Sequence, residues 1–327
     1  MAESIPEAPA PARPSPNAPG AGPAPGRAAR PELARLGLSP GKRARLLRLL
    51  YHHGPGGGTL LVLPIDQGLE HGPVDFFVNP EALDPDYQFR LAREGRFSAI
   101  ALHYGLATKY FHEYAGEVPL ILKLNGKTAI PGDGQAFSAL TGSVEDAVRL
   151  GADAVGYTVY VGSPAQDRDF AQLAGVRADC DRFGMPLIVW AYPRGEAVGK
   201  KGGKESLYAV DYAARVALEL GADIVKVNYP VASEKDAESP APYNGLRLDP
   251  DAAFRKVVAS AGRALVLVSG GEKVGDRELL AKVRSSMEAG ATGIIFGRNL
   301  WQRPWPEAIR LTRELHGIFR EYARPLR

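Results

Sequence analysis

The chain has 327 residues, of which 45% are hydrophobic and 24% charged, a composition typical of a protein with a large buried core. Its formal charge of +3 originates in the first 50 residues, which hold a surplus of five cations, so the rest of the chain has a net charge of −2. This distribution argues against a nucleic-acid-binding protein, because such proteins present a basic face on their folded part.

Residues 1–37 are predicted to form a disordered tail. Up to about residue 30 the sequence is dominated by Pro, Ala and Gly, as in Ala18–Pro25. Such a composition cannot build a hydrophobic core. The folded part of the chain is therefore expected to occupy residues 38–327.

The sequence indicates a cytoplasmic protein with no membrane partner. The N-terminus lacks the central hydrophobic segment of a secretory signal, and no apolar run approaches the roughly 18 residues of a membrane span. Cys180 is the only cysteine, so no intrachain disulfide can form. Its place in a predicted helix favours a structural thiol over a nucleophile.

The spacing of apolar runs predicts a (β/α)8 barrel of the TIM type, in the α/β class. Ser39–Leu50 is predicted to form a short helix capped by Ser39, with leucines on one side and a solvated basic face on the other. Short apolar runs then alternate with helical stretches, the pattern of parallel strands joined by helical crossovers, and Pro306–Ala323 closes the series as a helix. The eight predicted strands are Leu60–Ile65, Ser98–Leu102, Leu120–Leu124, Ala154–Val159, Leu187–Ala191, Asp223–Val227, Ala264–Val268 and Gly293–Phe296.

Polar and aromatic side chains gather where the predicted strands end. Catalytic groups of such barrels lie at the carboxyl ends of the strands and in the loops that follow. The residues at these positions are Asp66, His71, Lys123, Asn125, Trp190, Tyr192, Arg194, Lys226, Ser269 and Arg298. We therefore expect the functional site at this end of the barrel.

Two lysines are candidates for a buried amine. Lys226 stands between Val225 and Val227, so its side chain is expected to point into the barrel. Burial favours the neutral form of an amine, which can attack a carbonyl and form an imine, but a structural lysine paired with a carboxylate would show the same pattern. Lys123 occupies a similar place at the end of the third strand, and position alone does not rank the two.

Asp66 ends the first strand, with Glu70 and His71 in the loop that follows. A carboxylate there can hold substrate hydroxyls or assist proton transfer, although an aspartate that only caps a turn would look alike. A metal site is disfavoured, because no second histidine lies at helical ligand spacing and no HExxH motif is present. No cofactor is expected.

The fifth, seventh and eighth strands end in further candidate groups. Tyr192 could serve as a general acid and base, Trp190 could line the site or fill a layer of the barrel, and Arg194 suits an anion better than packing. Ser269–Gly271 and Gly297–Asn299 follow strands seven and eight, where barrels of this type hold phosphate with backbone N–H groups and a cation.

Taken together, these motifs resemble those of the class I fructose-bisphosphate aldolases of the archaeal and bacterial type, a metal-independent family. The likeness extends over nearly the whole chain after the tail, except residues 228–244. It rests on the motifs PIDQGLEHG at Pro64–Gly72, WAYPR at Trp190–Arg194, GADIVK at Gly221–Lys226, SGG at Ser269–Gly271 and GRN at Gly297–Asn299.

The resemblance implies a role for each motif residue. Lys226 would form the imine with C2 of the ketose, Asp66 would orient the substrate hydroxyls and the imine, and Tyr192 would move the proton during C3–C4 cleavage. The implied substrate contacts are Trp190 in the pocket wall, Arg194 and Lys123 at the distal end, His71 in support, and Ser269, Gly270, Gly271, Gly297 and Arg298 at the C1 phosphate.

The activity implied is reversible cleavage of fructose 1,6-bisphosphate to dihydroxyacetone phosphate and glyceraldehyde 3-phosphate. A protonated imine is the electron sink that such cleavage requires. Two alternatives stay open: a related lysine-dependent synthase or thiolase acting on another phosphorylated ketose, and a non-catalytic phosphate-binding barrel. The resemblance also implies a homo-oligomer, with a decamer expected.

Overall fold

Eight parallel strands close into a barrel, as the spacing of the apolar runs predicts. The computed structural model describes residues 28–130 and 132–326. The strands are β1 Leu60–Pro64, β2 Ala99–His103, β3 Leu120–Lys123, β4 Ala154–Val161, β5 Leu187–Pro193, β6 Ile224–Val227, β7 Leu265–Ser269 and β8 Gly293–Ile295. Each strand pairs with its neighbour in sequence, and β1 pairs with β8 to close the barrel.

Helices cover the outside of the barrel. The α-helices of the described residues are α1 Pro40–Leu47, α2 Gln67–Glu70, α3 Pro85–Glu94, α4 Tyr104–Tyr110, α5 Val144–Arg149, α6 Gln166–Phe183, α7 Glu196–Gly199, α8 Leu207–Glu219, α9 Pro250–Ser260, α10 Asp276–Glu288, α11 Arg298–Trp301 and α12 Trp305–Glu321. Helices α3, α4, α5, α6, α8, α9, α10 and α12 follow β1 to β8 in turn, whereas α2, α7 and α11 are single turns in the loops at the carboxyl ends of strands.

The connections also contain shorter elements. A π-helix at Arg48–His52 continues α1, and an antiparallel pair joins Asn125–Gly126 to Ala139–Leu140. The short 3-10 helices are Leu33–Arg35, Pro73–Phe76, Pro80–Leu83, Phe111–Glu113, Asp133–Gln135, Glu234–Glu238 and Tyr243–Gly245. No helix within the described part of the chain has both the length and the apolar character that crossing a membrane requires.

Strands β4 and β5 are longer than the sequence predicts. They pair over seven residues, from Val155 opposite Leu187 to Val161 opposite Pro193. Each continuation begins with a tyrosine, Tyr160 or Tyr192, which interrupts the aliphatic pattern used to place the strand ends, although the backbone pairing extends one residue further. The extension places Tyr160 directly opposite Tyr192.

The hydrophobic core has two layers. One layer fills the space between the strands and the outer helices, and the other fills the barrel interior. The interior layer includes Leu46, Leu49 and Leu50, together with Leu33, so α1 and the segment before it close the amino-terminal end of the barrel. This closure leaves the carboxyl end as the open face.

Helix α1 confirms the predicted cap but not the solvated basic face. The Ser39 hydroxyl accepts a hydrogen bond from the Lys42 backbone N–H. The Lys42 side chain is buried, with its Nζ 2.8 Å from Asp181 Oδ1 and 3.0 Å from Asp223 Oδ2. The prediction of a solvated face was wrong for Lys42, because the helix lies against the barrel rather than on its outer surface.

The predicted disordered tail, residues 1–37, falls outside the described residues as far as residue 27. The remaining part differs from that expectation because it packs on the barrel. The Ala28 N–H donates to Glu288 O at 2.9 Å, and the buried Arg30 guanidinium donates to Gly58 O at 3.1 Å and to Tyr322 O. Leu33 is only 5% exposed.

Candidate active site

The ring of Trp190 contacts both candidate lysines. Its centroid is 5.2 Å from Lys123 Nζ and 5.1 Å from Lys226 Nζ. Trp190 and Lys226 are paired residues on β5 and β6. A Cβ at Gly156 on β4 would lie 2.6 Å from the Trp190 ring and 3.1 Å from Lys123 Cδ, so glycine makes room for both side chains inside the barrel.

Lys226 is buried, as predicted, and no carboxylate of the described residues lies within ion-pair distance of it, although its charge contributes to lowering the pKa of Glu70. The Lys226 side chain is only 6% exposed, and its Nζ lies 5.2 Å from the centroid of the Tyr192 ring. Among the described residues it forms no ion pair. The amine of Lys226 thus lies over the rings of Trp190 and Tyr192 and, unlike that of Lys123, is not held by a carboxylate.

Lys123, unlike Lys226, is paired with carboxylates. Its fully buried Nζ lies 2.9 Å from Glu70 Oε1 and 3.7 Å from Asp66 Oδ2. Burial lowers the pKa of Lys123, but the charges of Glu70 and Asp66 outweigh burial and the net shift is upward. Burial likewise raises the pKa of Glu70, but Lys123 outweighs it and lowers that pKa to about 2. Lys123 is thus a cation paired with two carboxylates.

Asp66 lies where the sequence predicts, at the end of β1 and 3% exposed. It occupies the N-cap position of α2, yet its side chain makes no capping hydrogen bond. The carboxylate faces Lys123 instead, so the turn-capping alternative does not apply. The described residues contain no group of three His, Cys, Asp or Glu side chains placed to hold a metal ion.

Arg194 lies beside Tyr192 and Tyr160. Its guanidinium carbon is 5.3 Å from the Tyr192 ring centroid and 5.8 Å from that of Tyr160. Arg194 Nε lies 2.9 Å from Asp133 Oδ2, and Lys127 Nζ lies 3.3 Å from Asp133 Oδ1. Burial raises the pKa of Asp133, but Arg194 and Lys127 outweigh it and the net shift is downward. Two cations thus meet at one carboxylate.

The loops after β7 and β8 are joined through Asn299. Its amide donates to Gly270 O at 3.2 Å and to Glu272 O at 3.0 Å. Arg298 donates to Gly271 O at 3.2 Å. Within the described residues, the backbone N–H groups of Gly270, Gly271 and Gly297 donate to no acceptor. The predicted phosphate loops therefore present unused donors next to a cation.

Ser269 and Gly297 border the same loops. Ser269 ends β7 and is half-buried. A Cβ at Gly297 would lie 2.8 Å from Pro64 O, so only glycine lets this loop approach β1 so closely.

His71 is connected to the loop after β8 through Asp75. Its Nδ1 is 2.6 Å from Asp75 Oδ2, and Asp75 Oδ1 is 3.8 Å from Arg298 Nη1. The carboxylate of Asp75 therefore connects His71 to Arg298. Asn125, also singled out from the sequence, fixes backbone instead: its amide donates to Thr158 O and accepts from Thr158 N.

Some residues of the site were not assigned a role from the sequence. They are Glu70, His103, Lys127, Asp133 and Tyr160. His103 is the residue opposite Lys123 at the end of β2, and burial raises the pKa of Tyr160 to about 12. The rule that placed the other candidates, a polar side chain directly after an apolar run, also finds His103 and Tyr160 when applied to β2 and β4.

Comparison with known proteins gives consistent matches over the barrel. Residues 60–303 match the DeoC/LacD family of aldolases. A class 1 fructose-bisphosphate aldolase of Thermoproteus tenax is 44% identical over 259 residues, which are 79% of this chain and 88% of that protein. A 2-amino-3,7-dideoxy-D-threo-hept-6-ulosonate synthase of Halobacterium salinarum is 34% identical over 269 residues, which are 82% of this chain and 88% of that protein.

A solved structure shares the whole architecture. It is an archaeal fructose-1,6-bisphosphate aldolase whose catalytic lysine is covalently bound to the carbinolamine intermediate of the substrate. It is 40% identical to this chain with a TM-score of 0.71, and the match covers 84% of this chain and 98% of that structure.

Proposed function

The chain belongs to the DeoC/LacD family of aldolases, and we propose that it is a class I fructose-bisphosphate aldolase whose nucleophile is Lys226. The observation that carries the proposal is the difference between the two buried lysines. Lys123 pairs with Glu70 and Asp66, whereas Lys226 has no ion-pair partner among the described residues. A nucleophilic amine must be able to lose its proton, and a cation held by two carboxylates keeps it.

The reaction begins when the Nζ lone pair of Lys226 adds to C2 of the ketose. The carbinolamine formed loses water and becomes a protonated imine. The C3–C4 bond then breaks, and its electron pair moves toward the iminium nitrogen to give an enamine. At the same time the C4 hydroxyl loses its proton and the aldehyde product forms. Protonation of C3 and hydrolysis of the imine release dihydroxyacetone phosphate.

Tyr192 is the residue proposed to move the proton. Its ring is next to Lys226 Nζ, and it is the phenol beside the iminium that would form there. It takes the proton from the C4 hydroxyl and returns a proton to C3. Asp66, held in place by Lys123, accepts hydrogen bonds from the substrate hydroxyls and orients the imine. Trp190 forms a wall of the site beside both lysines.

Two phosphate sites follow from the donors and cations. The C1 phosphate binds the backbone N–H groups of Gly270, Gly271 and Gly297, with Ser269 and Arg298 completing the site and His71 supporting Arg298 through Asp75. The distal phosphate binds Arg194, with Lys123 nearby, and displaces the Asp133 carboxylate that Arg194 and Lys127 hold.

We further propose a cytoplasmic homo-oligomer, with a decamer expected. The single buried Cys180 fits a reducing compartment, and the family resemblance supports an oligomer. The proline-rich residues 1–27 are proposed to be a tail outside the barrel.

Reductive trapping tests the nucleophile. Borohydride reduction of the enzyme with dihydroxyacetone phosphate should fix one adduct, and peptide mass analysis should place it on Lys226. Lys226→Arg should abolish the adduct while leaving the circular dichroism spectrum unchanged, because arginine keeps the long stem and the charge but forms no imine. Lys123→Arg is the matched control and should still give an adduct on Lys226. An adduct on Lys123, or none at all, would refute the assignment.

A product assay tests the substrate. Incubation with fructose 1,6-bisphosphate should release both triose phosphates. If trapping succeeds but no triose phosphates form, the enzyme is a Schiff-base synthase for another phosphorylated ketose. The synthase relative at 34% identity makes that the relevant alternative.

A further inference from the structure

A second cleft lies outside the catalytic centre, beside the segment that follows β6. It has a volume of about 460 Å³ and is bordered by residues 230–248 and by the start of α8. An adjoining cavity of about 280 Å³ continues it between α8 and α9. None of the residues assigned to the aldolase reaction lines either one. We call the two together the tyrosine cleft, after Tyr208, Tyr212 and Tyr243.

The tyrosine cleft has an aromatic wall with unused hydroxyls. The Tyr208 ring centroid is 5.9 Å from that of Tyr212, one turn further along α8, and 5.3 Å from that of Tyr243, which meets it edge-on. Tyr243 donates its hydroxyl to Asp211, but the hydroxyls of Tyr208 and Tyr212 form no hydrogen bond within the described residues. Tyr212 is 52% exposed. Closely spaced tyrosines with free hydroxyls suit a ligand that is apolar and rich in carbonyl acceptors.

A polyproline II helix has these properties. It has no internal hydrogen bonds, so its carbonyls are available, and grooves lined by aromatic side chains bind PxxP segments in this conformation. The N-terminal region contains the PxxP sequence Pro6-Glu-Ala-Pro9 and, closer to the barrel along the chain, two more, Pro11-Ala-Arg-Pro14 and Pro16-Asn-Ala-Pro19. None of them has any part in the proposed aldolase chemistry.

The described chain begins near α9, the helix that borders the cleft on its other side. A Cβ at Gly290 would lie 3.1 Å from Ala28 Cβ and 3.5 Å from Val258 Cγ1, so Ala28 and α9 meet at this point. Lys256 and Ser260, on the same helix as Val258, line the tyrosine cleft. Helix α9 has 11 residues and is about 16 Å long. The nine residues from Pro19 to Ala28 span about 28 Å in the polyproline II conformation, so the PxxP sequences reach the cleft.

We propose that the chain's own Pro11–Pro19 segment binds the tyrosine cleft as a polyproline II helix. Its prolines pack on Tyr208, Tyr212 and Tyr243, and its carbonyls accept hydrogen bonds from the free tyrosine hydroxyls. The Glu234 carboxylate lies on the rim of the cleft and has no ion-pair partner among the described residues, so it is placed to pair with Arg13. This inference is independent of the reaction catalysed.

Photo-crosslinking in the full-length protein tests the proposal. p-Benzoylphenylalanine in place of the exposed Tyr212 keeps an aromatic side chain in the cleft. Irradiation followed by peptide mass analysis should give a cross-link to residues 8–20. A mixture of isotopically heavy and light chains should yield cross-links only within one chain. The same label in place of Leu83, which is 62% exposed but not part of the cleft, should give no link to this segment.

Replacement of Pro11, Pro14, Pro16 and Pro19 by Ala is the matched variant. It leaves every described residue unchanged and should lower the cross-link yield about fivefold or more, because it removes the rigid helix and the ring contacts. Hydrogen exchange at 207–212 and 233–246 should become faster in the same variant. Cross-links between the folded parts of two copies would show that the cleft is a subunit interface and would overturn the proposal. Equal yields with and without the prolines, or links only to another chain's N-terminus, would also overturn it.

Discussion

At the residue scale, most of the buried charges of the site are paired with an opposite charge. Lys123 pairs with Glu70 at 2.9 Å and with Asp66 at 3.7 Å, one cation between two carboxylates, and His103 lies next to them at the end of β2. Both ring nitrogens of His103 are buried. Burial, and then the charge of Lys123, lower the pKa of His103 to about 4. The imidazole is therefore neutral at physiological pH.

This low pKa predicts a specific loss of stability in acid. An unfolded histidine binds a proton near pH 6.5, whereas His103 in the folded protein binds one only near pH 4. The stabilising contribution is present above pH 6.5 and is lost as the pH falls toward 4, by about 3 kcal/mol in the free energy of unfolding. His103→Gln, which does not titrate, should lose less stability over that interval. Urea denaturation of both proteins between pH 7.5 and 4.5 measures the difference.

The comparison at pH 7.5 is the internal control for that variant, because both proteins then carry a neutral side chain at this position. Any difference between their free energies of unfolding at pH 7.5 therefore reflects packing alone. Parallel stability curves for the two proteins across the acid range would mean that His103 titrates normally, contrary to the expectation.

The positions of the proposed site residues at the strand ends followed from the sequence, but their pairing did not. Strand ends placed Lys226, Lys123, Asp66 and Tyr192 on one face, and the structure brings them together there. The partners of Lys123 come from the loop after β1, two strands away, so only the closed barrel reveals that this lysine is neutralised. From the sequence, only the family resemblance ranks Lys226 above Lys123 as the nucleophile. The ion-pair distances of Lys123 add a physical reason for that ranking.

At the scale of elements, α1 closes the barrel by combining an apolar side with one buried cation. Leu46 and Leu49 enter the interior layer, and Lys42 reaches Asp223 at the turn before β6. Asp223 also accepts a hydrogen bond from the Leu187 backbone N–H at the start of β5. Burial raises the pKa of Asp223, and Lys42 offsets only part of that increase. The ion pair therefore connects the closing helix to two strands.

Lys42→Met should reveal the cost of leaving Asp223 buried without its cation. Methionine keeps an apolar stem in the same space, and we expect a loss of about 3 kcal/mol in the free energy of unfolding, as is usual when one partner of a buried pair is removed. Adding Asp223→Asn should restore part of it, because the amide oxygen still accepts from Leu187 N–H and no charge remains. Chemical denaturation of the wild-type protein, Lys42→Met and the double variant measures these free energies of unfolding. A double variant less stable than Lys42→Met would contradict this account.

The sequence predicted this helix and its Ser39 cap but not the burial of Lys42. A helix cap is determined by residues a few positions apart, whereas the two aspartates that pair with Lys42 lie more than 130 positions further along the chain. The same limit applies to β4 and β5, whose pairing continues past the end of the apolar pattern.

At the scale of the whole molecule, the barrel was predictable because each of its eight units repeats one pattern, an apolar run and then a helix. The junction between its first and last units was not. Arg30 connects the two by donating to Gly58 O, just before β1, and to Tyr322 O, just after α12. Arg324 N–H donates to Gly57 O at 2.8 Å across the same junction. Residues 28–36 contain two Leu, two Arg and only one Pro, but no apolar run marks them as part of the barrel, so their structural role appears only in the fold.

Two truncations separate the tail from this junction. Removal of residues 1–27 takes away the proposed contact of Pro11–Pro19 with the tyrosine cleft but leaves the junction intact, so the free energy of unfolding should fall by no more than about 1 kcal/mol, the scale of surface contacts. Removal of residues 1–36 also takes away Arg30 and exposes the surface that Leu33 covers, at a cost of about 3 kcal/mol.

Urea denaturation of the two truncated proteins and the full chain gives these values, and triose phosphate release gives the activity. Both truncated proteins should remain active under conditions where they are folded, because every residue assigned to the reaction lies beyond residue 60. If the shorter truncation were as costly as the longer one, the stabilising contacts would lie in residues 1–27. The junction formed by Arg30 and Leu33 would then contribute little to holding the ends of the barrel together.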